Sequence, residues 1–392
     1  MRKSGNKNLI LGVVVSGLLG MCMKMTVWGA DTLSPNIESS YGMESETMGE
    51  ILDYGEVNQA LEELFPQEKM DFGETVASII KGDTKICAEL VNQLVADQIS
   101  YAFRVNRENL THLLVLAVIG AVFLNFSQVL KNQQIGEMGF YILYMLLIAL
   151  CLNAFQVSVD WVEEGVDHLL TFMKALCPVY FMAVTIARGS VTSAAFYSLA
   201  LLFITVTETV ILKFLLPLIH IYIVVRFLNC LSKEDYLSKM AELLELAASW
   251  TMKTLLACVV GLNIVQGLIA PAIDAVKRSA VTRSAEAIPG VGDALGGTAE
   301  VVLGTAVLIK NGIGMAGAVV CLSICLVPLI QVAVMTLLYK LAAAFVQPVS
   351  DKRMVEGIAG MGDGCQLLMR LIFTVCVLFL LTIAIVAATT GS

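Results

Sequence analysis

The sequence predicts an all-α, polytopic membrane protein, and three observations carry that expectation. Of 392 residues, 57% are hydrophobic and 15% charged, whereas ordinary soluble domains are about a quarter charged. Mean hydropathy is +0.80, and several apolar runs reach the roughly 20 residues a helix needs to cross the hydrocarbon core. Charge is also segregated: residues 31–110 hold 16 Asp and Glu against 5 Lys and Arg, while 111–392 hold 17 against 16. Lys and Arg are the residues retained in the cytoplasm, so the acidic, Lys-poor segment is expected outside it. No basic patch with interleaved aromatics is present, which excludes a nucleic-acid footprint.

Residues 1–30 have the pattern of a cleavable signal peptide. Arg2, Lys3 and Lys7 form its basic start and 9–20 its short apolar centre. Cleavage after Gly29 or Ala30 and retention as an anchor stay open. The acidic extracytoplasmic region, 31–110, begins with a polar tether over 31–50. Two helices are predicted after it: one from Glu56 that stops before Pro66, and one from Thr84 to Phe103. Residues 111–177 hold the first transmembrane helices. Spans over 111–130 and 138–155 are joined by the polar Lys131-Asn132-Gln133-Gln134. An acidic outer segment, 157–168, carries Asp160, Glu163, Glu164, Asp167 and an interfacial Trp161. A third span, 169–187, then returns and delivers Arg188 to the same side as Lys131.

Beyond Arg188 the membrane core is expected in two units, 178–276 and 277–392. Leu216-Pro217-Leu218-Ile219 reads like Val327-Pro328-Leu329-Ile330, and Pro178 and Pro289 each stand 39 residues before the second proline. Duplication of a Pro/Gly-broken helical core and chance likeness among apolar segments both account for this. Residues 194–230 read either as a tight hairpin or as one long kinked element, with a non-crossing segment preferred because Pro217 breaks it. An interfacial helix is expected over 235–250, with Leu237, Met240, Leu244 and Ala247 on its apolar face.

Catalytic patterns are missing from the sequence. His112, His168 and His220 lie far apart, and there is no Gly-x-Ser-x-Gly and no Walker lysine. Neither a metal nor a cofactor is expected. Seven cysteines, Cys151, Cys177, Cys230, Cys258, Cys321, Cys325 and Cys376, lie in apolar runs and read as small hydrophobes. Gly312-Ile313-Gly314-Met315-Ala316-Gly317 matches Gly-x-Gly-x-x-Gly, but its flanks are membrane-helix sequence. Close helix approach accounts for it better, as for Gly292. Ionisable groups inside apolar flanks are sharper signals, because a charge in hydrocarbon costs about 2.5–3.5 kcal/mol on insertion scales. Glu208, Lys213, His220, Arg226 and Lys310 are therefore candidates for a polar pathway, with a Glu208–Lys213 ion pair as one form of it. For Arg226, Lys310, Lys174 and Lys340 the competing account is snorkelling toward the interface.

Several stretches together resemble the stage III sporulation protein AE family. They are Phe172-Met173-Lys174-Ala175-Leu176-Cys177-Pro178, Leu216-Pro217-Leu218, Gln266-Gly267-Leu268 with Asp274, and Ala287-Ile288-Pro289-Gly290-Val291-Gly292. Leu308-Ile309-Lys310-Asn311-Gly312 and Leu338-Tyr339-Lys340-Leu341-Ala342-Ala343 with Gln347-Pro348 complete the likeness. The resemblance implies a non-enzymatic, multipass platform or permease-like subunit of the complex that connects mother cell and forespore. It further implies partners in the same complex: other membrane proteins, a secretion-type ATPase and ring-forming subunits. The location it implies is the mother-cell membrane around the forespore, and homo-oligomerisation is left open. The family pattern carries over no catalytic residue, and Gly292 and Gly312 carry over as structural positions. A free-standing secondary transporter with Glu208 as coupling site is the alternative function, and a non-conducting scaffold is a third.

Overall fold

The computed structural model describes residues 53–64, 71–80, 85–129, 133–188, 190–231, 236–285 and 292–389. The expected signal peptide, the 31–50 tether and Pro289 lie outside these. The elements are α1 (Gly55–Leu64), α2 (Phe72–Ile80), α3 (Lys85–Val129), α4 (Gln133–Arg188) and α5 (Ser190–Val210). A π-helical turn (Ile211–Leu215) follows, then α6 (Leu216–Leu231), α7 (Ser238–Ala285), α8 (Gly292–Val346) and α9 (Lys352–Thr389). The described residues contain no strand. Among the described residues, five segments are long and apolar enough to cross a membrane: Met138–Ala187, Ala200–Leu231, Ser238–Gly261, Thr305–Val346 and Lys352–Ala384.

α4 is the axis of the bundle. Its 56 residues span about 84 Å at 1.5 Å per residue. Side-chain contacts give the direction of each neighbour. Pro328 of α8 meets α4 at Gly165, Leu176 faces Gly317, and Tyr180 faces Gly314, so α8 runs antiparallel to α4. Phe181 stacks obliquely on Tyr197 at 5.1 Å, Phe155 meets His220 at 5.8 Å, and Tyr144 Oη donates to the Phe227 carbonyl at 3.1 Å. The α5–π–α6 element therefore runs antiparallel beside α4 as one continuous rod. α3 does the same on another side, through Tyr101 with Trp161 and Phe123 with Gly139. α9 runs parallel to α4, bringing Gly357 under Tyr144 and Gly364 under Phe155.

Three expectations change at this level. The two spans placed at 138–155 and 169–187 belong to one unbroken helix, so the chain does not reverse at the acidic segment. Residues 156–164 contain neither Pro nor Gly, and exposed carboxylates do not stop a helix. Pro178 is accommodated inside α4. Consequently the two ends of α4 lie at opposite ends of the bundle, and Arg188 is not returned to the end where Gln133 begins the helix. Second, of the two forms open for 194–230 the single element is the one formed, α5 running into α6 through the π turn, and Ala200–Leu231 is long and apolar enough to cross, against the preferred non-crossing segment. Pro217 has no N–H to give the Lys213 carbonyl, and the ladder shifts so that the Leu216 N–H bonds the Ile211 carbonyl instead. Third, the interfacial helix expected over 235–250 does not stand apart but runs on as the first part of the 48-residue α7. Its buried positions include Ala241, Ala248 and Met252, while Met240, Leu243, Leu246 and Trp250 are exposed.

The exposed apolar residues are organised. Val115, Val118, Ile119 and Val122 on α3, and Met138, Tyr141, Ile142, Met145 and Leu146 on α4, face outward at helical spacing. Leu337, Leu341 and Phe345 of α8 lie at the same level. From Met138 to Phe155 this belt is about 26 Å tall by helix rise, close to the roughly 30 Å of a hydrocarbon core. On α4 the exposed Gln156, Asp160, Glu163, Glu164 and Asp167 come directly after it.

The acidic helices α1 and α2 dock at the far end of α4. Phe72 meets Phe172 edge-on at 6.4 Å, and Ile80 and Val76 of α2 fill the space over Gly312. Asp53 caps α1 by accepting from the Gly55 N–H at 2.9 Å, and Asp71 caps α2 by accepting from the Glu74 N–H at 3.0 Å. Asn58 joins the pair, accepting from the Phe72 N–H at 2.8 Å. The phenol of Tyr54 packs on Phe72 at 5.7 Å, and its burial pushes the pKa up to about 12.

Candidate functional site: charged groups inside the helical bundle

Arg226 on α6, Lys340 on α8 and Asp363 on α9 converge. Asp363 Oδ2 stands 3.5 Å from Arg226 Nη2 and Asp363 Oδ1 stands 3.6 Å from Lys340 Nζ. Lys340 Nζ also donates to Gln366 Oε1 at 2.7 Å. One carboxylate thus ties together three helices that come from both halves of the expected repeat. Local sequence makes the space: Gly362 lies against Lys340, where a Cβ would stand 2.9 Å from Lys340 Cγ, and Gly360 lies beside Arg226 Nε. Arg226 Nε is buried without a hydrogen-bond partner. A second bridge, Arg370 to Glu245 at 3.8 Å, links α9 to α7.

Glu208 makes a different contact from the one expected. Its partner is Lys174 of α4, Nζ to Oε2 2.9 Å, and not Lys213. Residues five apart stand about 140° apart on an α-helix, so Glu208 and Lys213 do not share a face. Lys213 lies in the π turn and is exposed. His220 faces the Phe155 ring, and Lys310 is fully buried in α8. Pro217 follows the π turn, Pro328 packs on Gly165, Gly312 receives α2, and Gly292 opens α8.

Of the ionisable groups singled out in the sequence, the structure brings Arg226 and Lys340 together on Asp363. Glu208 and Lys174 form a separate pair. Neither Asp363 nor Gln366 was singled out in the sequence. The available signal was Gly360-Met361-Gly362-Asp363-Gly364, a lone acid among glycines leading into an apolar run. Among the described residues, no group of three or more His, Cys, Asp or Glu could hold a metal ion. What the arrangement can do is neutralise charges between helices and hold those helices in one register.

A tall bundle of apolar helices, belted on the outside and cross-linked inside by ion pairs, defines a polytopic α-helical membrane protein. The chain belongs to the stage III sporulation protein AE family, whose pattern it matches over residues 70–390. It is thus a sporulation-related membrane protein. The stage III sporulation protein AE of Bacillus subtilis strain 168 is 28% identical over 238 residues, covering 60% of this chain and 59% of that protein. The match thus spans about three-fifths of the length of that curated relative. No solved structure matches the chain.

Proposed function

We propose that this protein is a non-enzymatic, multipass platform or permease-like subunit of the sporulation complex connecting mother cell and forespore. The observation that carries the proposal is the Arg226–Asp363–Lys340 cluster. It places half-buried charge between the helices of an apolar bundle, where such groups face protein or a water-filled path, and it offers neither a nucleophile–base pair nor a redox group. Its partners are other membrane proteins of the same complex, including a secretion-type ATPase and ring-forming subunits. The protein sits in the mother-cell membrane around the forespore. Its acidic α1–α2 end faces the space between the two membranes, and the Lys352–Arg353 end faces the cytosol, in keeping with retention of basic residues there.

Affinity purification of the full chain from sporulating cells tests this, paired with reconstitution into liposomes. Other membrane proteins should co-purify, and Asp363→Asn should deplete them, while the chain alone should conduct no ions. Recovery of the chain by itself, or ion flux from it alone, would contradict the proposal. The Lys174–Glu208 pair favours a second reading, a free-standing secondary transporter. Flux from the isolated protein that collapses in Glu208→Gln would establish that one instead.

A further inference from the structure

A cavity of about 330 Å³ opens where α3, α4 and α8 meet, beyond the apolar belt. Tyr101 and Trp161 form one wall, their ring centroids 6.3 Å apart. Glu164 and His168 stand on α4, 4.0 Å from one another, with the Glu164 side chain 67% exposed. Gln98 and Gln331 close the opposite side, joined by a 2.9 Å bond from Gln331 Nε2 to Gln98 Oε1 that leaves the Gln331 amide oxygen unused by it. The floor is Gly165 against Pro328, where a Cβ on residue 165 would stand 2.5 Å from the proline ring. Pro328 has no N–H to close the helical bond to the Ile324 carbonyl, and Ile324 lines the same cavity.

These walls are rich in acceptors and π faces and poor in positive charge. Asp160, Glu163, Glu164 and Asp167 occupy this part of α4, and residues 156–173 contain no Lys or Arg. Arg104, three residues past Tyr101, turns its Nε back to the Ser100 carbonyl at 3.3 Å. An indole and a phenol ring attract a cation through their quadrupoles, a carboxylate neutralises it, and a one-sign mouth concentrates it locally. The size is at the lower end of small-ligand pockets.

We propose that this cavity binds an organic cation of the alkylammonium or guanidinium class, with Glu164 as counter-ion and Trp161 and Tyr101 as the facing rings. The proposal is independent of the role suggested above. The cation is either a free amine or the basic side chain of a partner peptide, and the two share this chemistry.

The test is fluorescence titration of the full chain in nanodiscs, with Trp28 and Trp250 replaced by Phe so that Trp161 reports. The probes are n-butylammonium, arginine amide, a short peptide with one central Lys, and butanol as the uncharged control. The expected result is a saturable change with the cations but not with butanol. Glu164→Gln should weaken it roughly tenfold or more, and Glu242→Gln, on α7 and away from the acidic mouth, should leave it unchanged. Tighter binding of the peptide assigns the site to a partner's side chain, and equal affinity assigns it to a free amine. Absence of saturation, an equal response to butanol, or equal weakening by Glu242→Gln would overturn the proposal. Should Glu164→Gln not fold, Tyr101→Leu is expected to weaken binding in the same direction, and unchanged binding there would overturn it too.

Discussion

Asp363 illustrates how one side chain can hold a bundle together. Two cations approach its carboxylate from different helices, and removing it leaves both without their counter-ion. Burial raises the cost of that loss and partial exposure lowers it, which puts Asp363→Asn at about 2 kcal/mol. Chemical unfolding in detergent should register this, and a double-mutant cycle with Arg226→Met should show coupling. Additive effects of the two changes would mean that the pair contributes nothing. Gly165 acts through shape instead. A Leu there would collide with Pro328, and overpacking of that kind costs about 1–3 kcal/mol. Thermal melts of Gly165→Leu should show the loss, whereas Gly261→Leu, with open space around residue 261, should melt near the parent. Among the site residues, Arg226, Glu208 and Lys310 were legible as charges in apolar flanks. Their partners were not, because an ion pair between residues 137 positions apart has no local signature.

Elements were legible where apolar runs decide them and obscure where turns do. The lipid-facing stripes of α3 and α4 lie inside the spans expected at 111–130 and 138–155. The ends of the helices were harder. Residues 104–110 on α3, between the helix expected to end at Phe103 and the span expected from Thr111, and Gln156 to Asp167 on α4 are polar, and the sequence reading separates helices at each. In the structure both stretches stay helical, since nothing in them breaks the hydrogen-bond ladder. Residues 194–230 show the converse: Pro217 was recognised as a breaker, and a single π turn absorbs it without reversing the chain. Docking of α1 and α2 yields a pH prediction. Burial raises the Tyr54 pKa from 10.0 to about 12, so the folded state favours the neutral phenol. That contribution is complete below pH 10 and is lost as pH rises from 10 toward 12, when the unfolded chain ionises first. Limited proteolysis after α2 should accelerate over that window in the parent and not in Tyr54→Phe.

On the scale of the whole molecule, the bundle is far taller than a bilayer core. The belt traced at one end of α4 is about 26 Å tall, and exposed apolar residues continue past it at Met182 and Ile186 of α4 and at Leu202 and Val206 of α5. The far end receives α1 and α2 and holds the cavity at the junction of α3, α4 and α8. That arrangement sets apolar and polar stretches of α4 along one rod. It also explains why charge alternation along the sequence could not give the number of crossings. α4 contains two apolar runs and an acidic interval in a single rod. The most direct test of this architecture is a double electron–electron resonance distance between spin labels at Met145 and Met182, both on the exposed surface of α4, introduced through bioorthogonal amino acids. An unbroken α4 puts the two positions about 55 Å apart. A distance below about 30 Å, within reach of a helical hairpin turning through the acidic segment, would contradict the single rod and with it the bundle built around it.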